Sequence, residues 1–196
     1  MVIPELTADA LLLRRPSLAG LGRPDAPGGH TLRTYQAGDA PHWAELLTAA
    51  FPDHPWDLQG LHKEFLDASI WQPERIRFAC AGASLVACTA AWHRDWCGPH
   101  TGMIHWVATH PEHLRRGLGR AVVLAALGWM REFGYRDAAL VTQVHRLPAI
   151  RLYLGLGFRP DMAAADDMPQ RWAGVETAMR SARVWQVFLA RWCSCC

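Results

Sequence analysis

TGMIHWVATHPEHLRRGLGRAVVLAALGWMREFG, residues 101–134, changes its hydrophobic period half-way. Thr101 to Thr109 reads as a strand, and His110-Pro111 stops it, because proline cannot donate to a β-ladder. From Gly117 to Phe133 the residues are apolar almost all round, with Leu118, Val122, Val123, Leu127 and Met130 among them. That suits a helix laid against a sheet and covered by other elements, and Gly134 closes it as a left-handed cap. Between strand and helix stands Arg115-Arg116-Gly117-Leu118-Gly119-Arg120. Two glycines one residue apart at a helix N-terminus let main-chain N–H groups converge on an anion such as a pyrophosphate, and the helix dipole reinforces them. The pair alone does not decide the matter, since Gly-x-Gly also precedes helices where nothing binds. A dinucleotide-binding Rossmann turn fits less well, because the third glycine is missing and the turn lies mid-chain. A phosphate P-loop would need a Lys-Ser/Thr pair that is absent.

Downstream, Ala138 to Val144 reads as a buried strand at the distance expected when the helix crosses over between parallel neighbours. Pro148 then opens a short helix that puts Ala149, Leu152, Tyr153 and Leu156 on one face; Gly157 ends it and Phe158 returns the chain to the core. Upstream, Arg75 to Cys80 and Ser84 to His93 form a hairpin around Gly82. A helix is expected from Asp57 to Ala68, another from Ala40 to Phe51 with Asp39 as its N-cap, and a short strand from Thr31 to Gln36. Met1 to Gly29 mixes Pro, Gly and Arg and reads as an extended arm. The domain proper begins near His30, with a core to about residue 160 and an extension over 161–196. In that extension Trp172, Val175 and Met179 have helical spacing, whereas Val184 to Leu189 could continue the helix or form an edge strand.

A chain of 196 residues supports one sizeable core rather than two enzymatic domains. Apolar residues make up 51% and charged residues 19%, which excludes a disordered chain. A net charge of +2 lacks the clustered Lys and Arg of a nucleic-acid footprint, so no nucleic-acid partner is expected. The apolar run Ala121 to Met130 is far short of the ~20 residues of a membrane span. Glu5 and Asp9 before Ala10 to Leu13, with Arg14 and Arg15 after, reverse a secretory signal's charge order, so a cytoplasmic, membrane-free protein is expected. Cys80, Cys88 and Cys97 sit in or beside strand-like runs and read as reduced, buried thiols. The terminal Cys193, Cys195 and Cys196 lack a histidine cluster at zinc-site spacing, and His93, His100, His110 and His113 are too scattered for a tetrahedral set, so no metal is expected.

Two segments taken together carry a family resemblance: the strand-turn-helix above, and His145-Arg-Leu-Pro-Ala-Ile-Arg-Leu-Tyr-Leu-Gly-Leu-Gly-Phe158 after the following strand. In this order and spacing the chain resembles the GNAT superfamily, the GCN5-related N-acetyltransferases, over roughly His30 to Pro160. The resemblance is most specific over Val107 to Gly119 and Ala149 to Phe158. It implies an α/β acyl-CoA N-acyltransferase fold: a central mixed, mostly antiparallel sheet, flanked by helices, whose two central parallel strands splay apart. It implies an enzyme that transfers an acetyl group from acetyl-CoA to a primary amine of a small molecule or peptide by direct attack in a ternary complex. Backbone of Val107, Ala108 and Thr109 would pair with the pantetheine arm. Amides from Arg115, Arg116, Gly117, Leu118, Gly119 and Arg120 would take the pyrophosphate, leaving the arginine side chains for the nucleotide's other phosphate. The family's tyrosine falls on Tyr153, whose hydroxyl would protonate the departing CoA thiolate. Three positions depart from the pattern. Leu114 stands where Gln or Arg is usual, Arg146 where Asn is frequent, and Met103 where some members carry a glutamate base.

An alkylamine with a pKa of ~10.4 is almost fully protonated at neutral pH, so some group must take its proton before it attacks. His105 lies two residues from Met103, on the same sheet face, and an imidazole pKa of ~6.5 suits it as the base, directly or through water. It also reads as a hydrogen-bonded core histidine beside Trp106, and Tyr153 reads equally as core packing. Trp43, Trp56, Trp71, Trp92 and Trp96 could line an acceptor pocket or belong to the core. Without a carboxylate at Met103, a non-catalytic CoA-binding sensor or interaction module of the same fold stays open. The arm from Met1 to Gly29 could wrap a neighbouring subunit in a homodimer.

Overall fold

The computed structural model describes residues 3–181. The chain divides into two compact units, residues 15–139 and, of the described residues, 3–14 with 140–181.

In the larger unit β2 (Thr31–Thr34), β3 (Ile76–Ala81), β4 (Ser84–Trp92) and β5 (Thr101–Thr109) pair antiparallel in sequence order. The opening residues of β6 (Asp137–Gln143) run parallel to β5. Helix α3 (Leu118–Phe133) covers one face, setting Leu118 and Val122 against Ala79, Val86 and Ala87. Side chains alternate along β3, so Phe78 points to the opposite face. There it meets Trp43 of α1 (Ala40–Ala50), which also packs on Phe65 with ring centroids 4.6 Å apart. Trp43, Phe65 and Phe78 are fully buried, each worth about 1.5–3 kcal/mol of apolar transfer. Trp43 and Trp92 are therefore core and not pocket walls.

The smaller unit is built on β1 (Ala10–Arg15), which pairs antiparallel with β7 (Arg159–Pro160), Leu13 opposite Pro160. The Val144 N–H donates to the Asp9 carbonyl (2.8 Å) and the Asp161 N–H to that of Leu12 (2.9 Å). Arg14 closes an ion pair with Asp161 at 2.7 Å. Two helices complete the unit, α4 (Leu147–Gly155) and α5 (Met168–Ser181); α5 contains Trp172 and buries Val175 and Met179. Val184–Leu189 and Cys193, Cys195 and Cys196 lie outside the described residues. Among the described residues no helix is long and apolar enough to cross a membrane.

Three expectations change. The arm is not unpacked throughout: Ala10 to Leu13 are wholly buried as part of β1, because four consecutive apolar residues suit a strand covered on both faces. Asp39 sits at the N-cap of α1 without capping it. Its carboxylate instead accepts two bonds from the Arg33 guanidinium (2.6 and 2.8 Å) and one from the Gln36 N–H (2.7 Å). The helix expected over 57–68 is a short α2 (Leu58–Leu61), capped by Asp57 through the Gly60 N–H, that runs into a π-helical turn, His62–Leu66.

Gly102 fixes how closely α3 approaches β5. A Cβ there would lie 2.6 Å from Sδ of Met130, a side chain with no solvent-exposed surface. Gly102→Ala should therefore cost about 1–3 kcal/mol, the usual range for overpacking a core. The flexible thioether favours the low end, and urea denaturation would measure the loss.

Candidate functional site

The parallel ladder between β5 and β6 consists of three register pairs, Thr101–Asp137, Gly102–Ala138 and Met103–Ala139. From Ile104 to Thr109 the β6-side edge of β5 has no ladder partner among the described residues, while its other edge stays paired to β4. Val107, Ala108 and Thr109 therefore carry main-chain groups along an open edge. That edge leads through His110 and the Pro111–His113 turn to Arg115–Arg120, where Gly117 adopts φ 81° to cap α3. Leu118 is buried and anchors the helix start, whereas Arg115, Arg116, Gly117 and Arg120 are exposed. The first N–H groups of α3 have no intrahelical acceptor, so they point at whatever anion sits over the turn.

Among the described residues only two non-glycines have positive φ: Trp106 at 48° and Arg115 at 60°. Each costs on the order of 1–3 kcal/mol, and such strain concentrates at functional sites. Both lie within this one segment. The strain at Trp106 has a visible cause, a bulge in which the β4–β5 register shifts between Cys88 and Ala90. The bulge breaks the two-residue alternation and turns Trp106 to the same side as His105. There the indole stacks on His54 and meets Trp56 and Phe51 edge-on. Cys88, opposite Ala108 on the neighbouring strand, is sealed beneath; burial pushes its thiol up to about 12.

His105 is not an isolated core histidine. Its Nε2 lies 2.7 Å from Glu64 Oε1, and Arg94 Nη2 donates to the same oxygen at 2.5 Å. Arg94 Nη2 also lies 3.4 Å from His105 Nε2. The two contacts make opposite demands on that nitrogen, and the much shorter carboxylate contact decides that it carries the proton. Burial works to raise the Glu64 carboxyl, but the hydrogen bond and charge of His105, with those of Arg94, hold it below its ordinary value. Sequence reasoning missed Glu64. Its signal was only one acidic residue in an amphipathic stretch, and the π-turn that aims it has no sequence mark.

Tyr153 lies in the other unit, buried on α4 beside Phe158. Burial raises its phenol well above the ordinary value, against the pull of Arg146. The phenol is thus protonated throughout the physiological range. Leu156 is buried with it as expected; Ile150 is buried too, whereas Ala149 and Leu152 are only half-buried. Among the described residues no group of three or more His, Cys, Asp or Glu is placed to hold a metal ion. Cys80, Cys88 and Cys97 are free and buried.

Residues 40–158 match the model of the Acetyltransferase (GNAT) family. The chain is 32% identical over 160 residues to a mycothiol acetyltransferase of Thermobispora bispora, covering 74% of this chain and 52% of the relative. It is 36% identical over 169 residues to that of Nocardia farcinica, covering 79% and 54%. The chain thus spans about half the length of the curated relatives it matches. Among solved structures, a GCN5-related N-acetyltransferase from Sphaerobacter thermophilus superposes with a TM-score of 0.63 at 21% identity, covering 78% of this chain and 48% of that one. That likeness extends to the fold alone.

The depressed Glu64 carboxyl predicts an acid-sensitive contribution to stability. A carboxyl whose folded value lies below its unfolded 4.5 stabilises the fold fully above that value. The contribution is lost as pH falls through the lower, folded value. The stability gap between wild type and Glu64→Gln should be widest above about pH 5 and close in more acidic solution, as chemical denaturation over a pH series would show.

Proposed function

Because the chain belongs to the GNAT family of acetyltransferases, we propose that it transfers the acetyl group of acetyl-CoA to a primary amine by direct attack in a ternary complex. The observation that carries this reading is the open edge of β5 running into the Gly117–Gly119 turn, with backbone strain at Trp106 and Arg115. Along that edge, main-chain groups of Val107, Ala108 and Thr109 pair with the amide-bearing pantetheine arm. Amides of Arg115 to Arg120 take the diphosphate, and the exposed Arg115, Arg116 and Arg120 side chains add positive charge.

His105 prepares the acceptor. His105, its Nε2–H donated to Glu64, takes a proton from the ammonium group directly or through water. Glu64 fixes this tautomer and stabilises the imidazolium that forms, and Arg94 keeps Glu64 ionised. The free amine adds to the thioester carbonyl, the C–N bond forms, and the C–S bond breaks with its electron pair leaving on sulfur. Tyr153 donates a hydrogen bond, then its proton, to that sulfur, and the second proton that the attacking nitrogen sheds on becoming an amide restores the phenol through solvent. A CoA-type thiol near 8.5 is a weaker base than a buried phenolate, so donation is useful only as the C–S bond breaks; Arg146 offsets part of that mismatch.

Glu64 supplies the carboxylate that Met103 does not, which favours the enzyme over a non-catalytic CoA-binding module. The relatives are named mycothiol acetyltransferases, so compounds of that class belong in the acceptor panel beside simple alkylamines and peptides. Amine-dependent release of free thiol from acetyl-CoA tests the reading. CoA binding with no amine-dependent release from any acceptor would leave the module.

His105→Ala should flatten the pH profile and lower turnover without changing CoA affinity; wild-type turnover would remove His105 from the mechanism. Tyr153→Phe should cost about ten- to a thousandfold in kcat, and an unaltered rate would reduce Tyr153 to packing.

A further inference from the structure

After β1 the chain crosses the larger unit without regular structure, pinned at both ends. The Leu18 N–H donates to the Arg136 carbonyl at 2.9 Å, and His30 meets His113 with ring nitrogens 3.3 Å apart. Beneath the middle of this crossing lies a cavity of about 610 Å³, walled by Leu21 to Pro24, by β2, by Arg77 and by the second half of α3. The volume is that of a small-molecule site.

The lining is amphipathic. Leu21, Leu32, Leu124 and Trp129 supply apolar lining, and three arginines, Arg23, Arg77 and Arg131, share it with one acidic residue, Glu132. Arg33 also lines the cavity but is committed to Asp39. Among the described residues Arg23 and Arg131 make no ion pair, and Arg77 buries its Nε without a hydrogen-bond partner. A buried donor left unpaired costs on the order of 1–3 kcal/mol. Burial also holds the Arg77 guanidinium below its usual value, although Glu132 and Glu74 oppose the shift.

A second observation comes from α3. Gly128 sits in the helix interior, where glycine costs about 1 kcal/mol relative to alanine. A Cβ there would touch nothing within 4 Å. No neighbour in the fold requires a residue without a side chain at this point, yet the cavity floor lies open because of it.

We propose that this cavity binds a small phosphate monoester with an apolar body. Three arginines facing one glutamate leave an excess of positive charge that matches a dianionic phosphoryl group. Guanidinium donors recognise its oxygens in pairs, and the leucine and tryptophan wall takes the ester's apolar part. This site is separate from the Gly117–Gly119 turn, which lies at the other end of α3, and it stands whether or not acetyl transfer is established.

Phenyl phosphate is the probe, titrated calorimetrically into the full chain with and without saturating CoA. Saturable binding that persists in the presence of CoA is expected. Arg77→Met, which keeps the aliphatic stem, should weaken it at least about tenfold. Gly128→Leu should abolish it by filling the cavity; this change raises helix propensity and meets open space, so lost binding would not reflect lost folding. CoA affinity should be unchanged in both variants. Absence of phenyl phosphate binding, binding displaced by CoA, or equal affinity in wild type, Arg77→Met and Gly128→Leu would each overturn the proposal.

Discussion

The site depends on one strand keeping only half of its hydrogen-bonding capacity. β5 is paired to β4 from Met103 to Thr109, across the bulge, but to β6 for only three residues. An unpaired strand edge inside a protein is a liability unless something takes up its donors and acceptors. An extended, amide-bearing chain supplies such groups in sequence, at strand spacing. The bulge at Trp106 accompanies this arrangement: an extra residue in β5 increases the local twist and turns the strand away from regular pairing. The same bulge places His105 and Trp106 side by side, so the feature that opens the edge also assembles the polar cluster next to it.

That cluster is assembled over long sequence distances. Glu64 comes from a π-turn, His105 from β5 and Arg94 from the connection after β4. A π-turn adds a residue to the helical repeat, which re-aims the side chains that follow relative to a regular helix. The carboxylate thus reaches an imidazole 41 positions away. Partly buried and shared between Arg94 and His105, it stays ionised where an unpaired buried carboxyl would tend to take up a proton.

The legibility of these parts in the sequence follows from how local their causes are. Helix α3 was readable because its apolar character, its glycine start and Gly134 are all contained in one window. The β3–β4 hairpin was readable for the same reason. β1 was not: its partner residues, Arg159 and Pro160, lie far away in sequence, and the Pro, Gly and Arg around it point to an arm. Asp39 was placed correctly at the start of α1 but given the wrong task, because Arg33 offers a charged fork that draws its carboxylate away from the first amides of the helix. The Arg115 to Arg120 turn was marked by its two glycines before a helix, and Tyr153 by the family resemblance. Glu64 and the strain at Trp106 arise from packing between distant segments and leave no periodic trace.

Cys88 sits on β4 opposite Ala108, one strand away from the edge on which a thioester would lie. With its thiol at about 12, the reactive anion amounts to roughly one molecule in a hundred thousand at neutral pH. Cys80 is shifted in the same direction. Burial works against the thiolate at both positions, so the form of cysteine that would attack an activated acyl group is the one this fold disfavours.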